Sequence, residues 1–432
     1  MSTFLKKNDE LYLYYYFCYN YIDYTIGVGL VKACGLIVEY NPFHYGHLYH
    51  LKEAKKKSQA DCLIAVMSGS FLQRGEPAII DKFHRTKAAL HAGVDLVIEL
   101  PYPFAVQSSE LFAKGAILSL HALNVMSICF GSESGDITQF ENGVKQLIHN
   151  QEDYDETFRT FINKGISYPE ASSKAYDVIG IHEIDMFQPN NILGFSYVKT
   201  IMMNHLSIKP LTVQRIKNHF HDDAITTKIA SATSIRKELI DNGLTPQVIA
   251  TLPDETITQL KQYKQISSLW HHWEHYFPYL HYRVITMSHQ ELANIHGVDE
   301  GLEYRIKKTA HEATSFLDWM NKMKTRRYTF VRLQRIFAHI LMNTTKQEIS
   351  DFTNISTVPY IRLLGMSKTG QTYLNKNRRR IHAPIITNIN HSVRNLIQLD
   401  EKALNVYYSI LPAKSIKKMR HQEFKLPIFA GT

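Results

Sequence analysis

Two histidines three residues apart, His44 and His47, stand in the run EYNPFHYGH, after an apolar stretch (Gly35 to Val38) and before a helical pattern. Strand, tight loop, helix in that order puts imidazole N–H groups where a helix N-terminus points. Such donors can stabilise the negative charge that develops on a bound nucleoside triphosphate when its α-phosphate is attacked. Gly46 lets the backbone approach a ligand closely. HxxH alone says little in a chain with 22 histidines. HxGH behind a buried strand and an Asn-Pro pair says more. No GxxxxGK[ST] loop is present and no GxGxxG follows the first apolar run, so a nucleotide site here is of the histidine type.

The elements that must hold this loop follow from the hydrophobic pattern. Short, nearly continuous apolar runs at Cys34–Tyr40, Cys62–Met67, Leu96–Leu100 and Val125–Phe130 predict strands buried on both faces. Helical patterns at Leu48–Lys57, Lys82–His91 and Ser109–Leu120 alternate with them. The alternation predicts an α/β domain with a doubly wound parallel sheet, whose ligands bind beyond the carboxyl ends of the strands. Each of those ends carries polar or glycine-rich sequence: EYNPFH, SGSFLQRGEPAI, Glu99-Leu100-Pro101 and FGSESGD.

Asp136 to Gly180 is polar and predicted helical, an insertion or cap. In QPNNILGFSYVKTIM, Asn190 and Asn191 are expected at a turn before an amphipathic helix, and a strand at Lys209–Ile216 ends near Arg215. Asp81 is expected to cap the helix at Lys82. In SATSIRKELI, Ser231 or Thr233 is expected to cap a helix that contains Arg236. Beyond Leu252 strand alternation stops and helical patterns run to about Tyr408.

The net charge of +9 favours an anionic partner. Tyr304 to Arg335 holds nine Lys or Arg and two acids. There Arg326, Arg327, Arg332 and Arg335 are interleaved with Tyr328, Phe330 and Phe337. A second basic run is Lys376, Arg378, Arg379 and Arg380. Cations with interleaved aromatics suit the phosphates and unpaired bases of an RNA loop; a solvated amphipathic bundle would carry the same pattern. The four cysteines have no CxxC spacing, so no zinc site or disulfide framework is indicated, and a reducing cytoplasm fits. HFHDD (His219 to Asp223) is taken as a polar loop rather than a metal cluster, and Met366-Ser367-Lys368 as a chance match to a catalytic lysine loop. Residues 11–30 are rich in tyrosine but carry Asn20 and Asp23, a poor membrane span. They are expected to come from a misread start, with the chain proper beginning near Lys32. The expected organisation is a 1–31 extension, a 32–250 nucleotide-binding catalytic domain and a 251–432 mainly helical, basic RNA-binding domain. Nothing in the pattern sets an oligomeric state.

EYNPFHYGH, taken with SGSFLQRGEPA, FGSE, PNNILG and SATSIR, resembles the bacterial tRNA(Met) cytidine acetate ligase family, from Lys32 to near the C-terminus. That family belongs to the HxGH nucleotidyltransferases. The resemblance implies a Rossmann-like sheet of that type followed by a mainly helical domain. It implies activation of acetate with ATP to acetyl-AMP, with Mg²⁺ accompanying the nucleotide. The acetyl group then passes to N4 of the wobble cytidine of elongator tRNA(Met). The implied ATP loop is Ile37, Val38, Glu39, Tyr40, Asn41, Pro42, Phe43, His44, Tyr45, Gly46, His47, Leu48, Tyr49 and His50. Further ATP contacts are implied at Gly131, Asn190 and Arg215, with His44 and His47 as catalytic groups and no protein-held metal. The residues alone also permit a small-molecule nucleotidyltransferase, or an RNA-binding protein that kept the fold without the chemistry. The basic helical third favours the first reading over the second; intact His44, Gly46 and His47 oppose the third.

Overall fold

The computed structural model of the chain describes residues 31–215 and 229–431. The proposed start-site extension, apart from residue 31, and the HFHDD loop lie outside them. Five parallel strands carry the expected α/β domain: β1 (Ala33–Val38), β2 (Cys62–Ser68), β3 (Leu96–Leu100), β4 (Ser127–Ser132) and β5 (Lys209–Gln214). They lie in the order β5-β4-β1-β2-β3. The strand order therefore reverses between β1 and β4, which places a ligand cleft at the carboxyl ends of that pair.

Alternation along the strands explains the two covered faces. Cys34, Leu36 and Val38 of β1 with Leu63, Ala65 and Met67 of β2 join one core. Its helices are α1 (Tyr45–Ser58), through Leu51 and Ala54, and α2 (Lys82–His91), through Phe83 and Ala88–Leu90. Ala33, Cys62, Ile64 and Val66 face the other core. This core is covered by α3 (Ser109–Ala122), α4 (Ile137–His149) and later α7; α5 (Gln151–Asn163) and α6 (Tyr168–Val178) pack at its border. Here α7 is Pro189–Met203. Asn190 and Asn191 sit in its first turn rather than before it. Asp81 caps α2, accepting from the His84 N–H at 2.8 Å. Ser231 caps α8 (Ala232–Asn242). Cys62 and Cys129 are buried free thiols, as is Cys34. No helix among the described residues is long and apolar enough to cross a membrane.

The chain past residue 250 is mainly helical, and one helix matters below, α9 (Phe330–Met342). Its core is shared: Tyr263, Trp273, Tyr276, Phe337 and Tyr407 pack with Phe71, Leu72 and Ala78–Ile80 from the loop after β2. Strand formation does not stop at residue 252. β6 (Ile361–Met366) joins the sheet antiparallel to β3, and β7 (Ile385–Ile386) and β8 (Ile428–Phe429) pair with β6. IRLLGM is a single short apolar run among helices, and periodicity does not separate such a run from a buried helical turn. After β6 comes α10 (Lys368–Asn377), capped by Ser367.

Candidate active site

The loop after β1 makes a sharp turn. Tyr40 has φ of 50°, Asn41–Pro42 is a cis peptide, and His44 is the N-cap of α1. The two histidines form a reciprocal cap. His44 Nδ1 accepts from the Gly46 N–H at 3.0 Å, and His47 Nδ1 accepts from the His44 N–H at 3.3 Å. Both Nδ1 atoms are thus acceptors, so in the neutral rings the proton sits on Nε2. The rings lie 3.9 Å apart, tilted by 32°. Burial, with the Arg215 and Arg236 guanidinia nearby, pushes His44 down to about 3. Burial, His44 and Arg215 hold His47 well below the usual imidazole range. The pair therefore presents two uncharged Nε2–H donors at neutral pH. A Cβ at Gly46 would stand 2.8 Å from His44 Cε1, so glycine is what leaves the ring its place.

Two flanks meet at this pair. On the β4–β5 side, Gly131 is in register with Val213, and a Cβ there would stand 3.4 Å from Arg215 Cγ. Arg215 Nη1 donates to Asn190 Oδ1 at 3.4 Å, and Asn190 Nδ2 donates to Glu133 Oε1 at 2.6 Å. Glu133 Oε2 accepts from the Asn191 N–H at 2.9 Å, and Asn191 Oδ1 accepts from the Glu133 and Ser134 N–H groups. A carboxylate at the first turn of a helix is favoured by the exposed N–H groups and the dipole. Gly131, Asn190 and Arg215 thus converge as expected. Glu133, the hub that sets them, had only the FGSE run as its signal.

On the β1–β2 side, Arg236 Nη1 donates to Asn41 O at 3.1 Å and Nη2 to Glu76 Oε2 at 2.8 Å. Arg236 is therefore no loose surface arginine: it ties the histidine loop to the loop after β2, and its charge acts on both His44 and Glu39. Glu39 Oε1 accepts from the Gln73 N–H at 2.8 Å. Burial pushes the Glu39 carboxyl up despite that bond, and Glu76 adds to the rise. Tyr45 N–H donates to Thr251 O at 3.1 Å, which pins the loop to the helical region. Of the remaining loop residues, Val38, Tyr40 and Phe43 are buried in the core of that face, with Leu48 and Tyr49 packed against it. Burial and Arg215 push His50 down to about 4.

The two basic runs do not share a surface. Arg327 pairs with Glu300 at 2.5 Å, Arg332 lies 5.0 Å over the Tyr328 ring, and Arg326 is exposed. Arg335 stands on α9 where Gly75 passes: a Cβ at Gly75 (φ 83°) would meet the Arg335 backbone nitrogen at 2.7 Å. This first run borders the site. The second run is at the other end of the sheet. Tyr373 OH donates to Leu123 O at 2.7 Å and Asn124 Nδ2 to Arg380 O at 3.1 Å, both just before β4. Arg379 and Arg380 line an open groove of about 810 Å³ there, with His121 and His382; Lys376 and Arg378 are exposed nearby. Met366 pairs with Leu96 at the amino end of β3, so Lys368 also stands away from the histidine loop. Among the described residues no group of three or more His, Cys, Asp or Glu side chains could hold a metal ion.

The sequence profile of the HIGH Nucleotidyl Transferase family matches residues 31–423. The tRNA(Met) cytidine acetate ligase of Oceanobacillus iheyensis is 53% identical over 401 residues, 92% of this chain and 100% of that protein. The chain belongs to the tRNA(Met) cytidine acetate ligase family. The enzyme of that name from Anoxybacillus flavithermus is 46% identical over 400 residues, 92% of this chain and 99% of that protein. Among solved structures, Thermotoga maritima TmcAL superposes with a TM-score of 0.84 at 31% identity, covering 92% of this chain and 99% of that one. A second crystal form of TmcAL, equally similar, is bound with alpha-thio ATP. Within the family, the convergence of HxGH, FGSE, PNN and SATSIR on one cleft is the feature the geometry adds to the resemblance.

Proposed function

We propose that the chain activates acetate with ATP to acetyl-AMP, releasing pyrophosphate, and passes the acetyl group to N4 of the wobble cytidine of elongator tRNA(Met). The observation that carries the first half is the pair of neutral Nε2–H donors, fixed by mutual capping at the mouth of the β1–β4 switch point. They would face the α- and β-phosphates and stabilise charge as a carboxylate oxygen of acetate attacks the α-phosphorus. Arg215, Asn190 and Gly131 form the flank for the nucleotide, Arg215 by charge and Asn190 by its double donor–acceptor capacity. Mg²⁺ would travel with the phosphates and supply further charge neutralisation. The free thiols fit a reducing cytoplasm, where this substrate pair is found.

The test is incubation with labelled ATP and acetate, with and without tRNA. Acetate-dependent AMP release with N4-acetylcytidine in tRNA(Met) is the expected result; transfer of AMP onto a phosphorylated metabolite would overturn the reading. The face of α9 that borders the site is the proposed entry for RNA. Reversing charge at Arg326 and Arg332 is expected to weaken tRNA binding about tenfold or more, and to lower the salt slope by about one for each phosphate no longer neutralised. Filter binding across a salt series measures both, and acetate-dependent ATP turnover should persist.

A further inference from the structure

On the β1–β2 flank, a closed ring of polar side chains is used by nothing described so far. Glu39 is bound at Oε1 by the Gln73 N–H. Gln73 Nε2 donates to Gln107 O at 2.7 Å. Gln107 Oε1 and His296 Nε2 are 3.1 Å apart. Arg335 acts on His296 and is itself pushed down to about 10 by burial, Arg332 and Arg74. Arg74, whose carbonyl accepts from Gln334 Nε2 at 3.1 Å, closes the ring by acting on Glu39. One member is left open: Gln107 is 3% exposed, and its Nε2 has no hydrogen bond among the described residues. A buried amide donor left open costs about 1–3 kcal/mol, which a polar ligand would recover. The ring lies between the histidine loop and the basic face of α9, because Arg236 links Glu39 to His44 and Gly75 links Arg74 to Arg335.

We propose that this ring receives the acceptor base, a cytosine splayed from a single-stranded RNA loop, and that Glu39 takes the proton from its exocyclic N4. The inference rests on the acetate-ligase reading. Along one edge cytosine offers a donor (N4–H₂) and then two acceptors, N3 and O2. The ring offers the complement in order: the Glu39 carboxylate, the open Gln107 Nε2–H and the Arg335 guanidinium. Uracil would set a carbonyl oxygen against the carboxylate and an N–H against the Gln107 N–H, and so is rejected. In the transfer step N4 attacks the carbonyl carbon of acetyl-AMP. The N4–C bond forms, the bond from that carbon to the phosphate oxygen breaks, and AMP leaves with the electron pair. The proton from N4 goes to Glu39 and then to solvent. The charged and titratable groups that face Glu39 are Glu76, Arg74, Arg236 and Tyr197.

Glu39→Gln keeps an oxygen for the Gln73 N–H and for N4–H but cannot take the proton. Activation is followed without RNA, trapping acetyl-AMP as acetohydroxamate with hydroxylamine. Transfer is followed with tRNA(Met) and prepared acetyl-AMP. The loss in transfer is expected to exceed the loss in activation by about 10²–10⁴-fold, with part of the rate recovered in Glu39→Asp. The acid limb of the wild-type transfer profile is expected to be absent from Glu39→Gln. Gln107→Leu is expected to raise the KM for tRNA more than it lowers kcat. Equal losses in both half-reactions, or transfer at the wild-type rate in Glu39→Gln, overturn the proposal. Wild-type protein that yields neither acetohydroxamate nor N4-acetylcytidine overturns the ligase reading instead.

Discussion

His47→Gln is expected to lower acetyl-AMP formation by roughly 10²–10³-fold, the usual loss for one preorganised donor to a developing oxyanion. The choice of glutamine matters. His47 has two jobs: its Nδ1 accepts from the His44 N–H, and its Nε2–H points outward. Glutamine is the natural partner in a capping box, so its oxygen can keep the first job while the ring donor is lost. His47→Ala loses both, and should cost about 1 kcal/mol of stability besides the same loss of activation. A urea melt of the two variants separates cap from chemistry. Affinity for tRNA should be unchanged in both. Supplying prepared acetyl-AMP should restore acetylation in both, because the missing step has been bypassed. If acetylation stays equally low with acetyl-AMP present, His47 does not belong to the activating half.

That prediction was largely readable from residue order. HxGH after a buried strand carries its own geometry: an extended strand, a turn, a helix start. The strand runs are recoverable because a parallel sheet buries both faces, which leaves unbroken apolar segments. Leu96–Leu100 matches its predicted bounds, and β2 differs by one residue. The failures share a cause. β6 is one apolar hexapeptide whose partner, β3, lies some 260 residues earlier, and no local pattern encodes that pairing. The two basic runs look alike along the chain, yet one borders the cleft and the other lies at the opposite end of strands about 20 Å long. Charge composition says that a segment binds anions, not which way it faces. Glu133 and Gln107 were invisible for another reason. Their roles are hydrogen bonds to residues 57 and 189 positions away, made by side-chain types common in any loop.

Arg85 shows the same limit and carries the largest stability effect expected here. It lies on α2, where a helix-period reading gives it no special place, and it is 1% exposed. Its guanidinium gathers the carbonyls at the carboxyl ends of two strands. Nη1 donates to Glu39 O at 2.7 Å and Ser68 O at 2.9 Å, Nη2 to Gly69 O, and Nε to Ile80 O at 3.2 Å. The charge is offset by Tyr407, Asp81, Glu39 and Glu99 around it, while burial pushes the guanidinium down. Arg85→Met fills much of the volume but strands four carbonyls and unbalances the surrounding acids, so a loss of about 3–5 kcal/mol is expected. Arg85→Lys should recover only part, since a point charge cannot reach four acceptors spread over one plane. Both half-reactions should fall together in Arg85→Met, because Glu39 on one strand and the Ser68–Ile80 loop on the other lose their shared anchor. Denaturant melts with the two activity assays measure this. A variant as stable as the wild type would mean that water replaces the guanidinium at the strand ends, and that the cleft is held by the cap of α1 and by Arg236 alone.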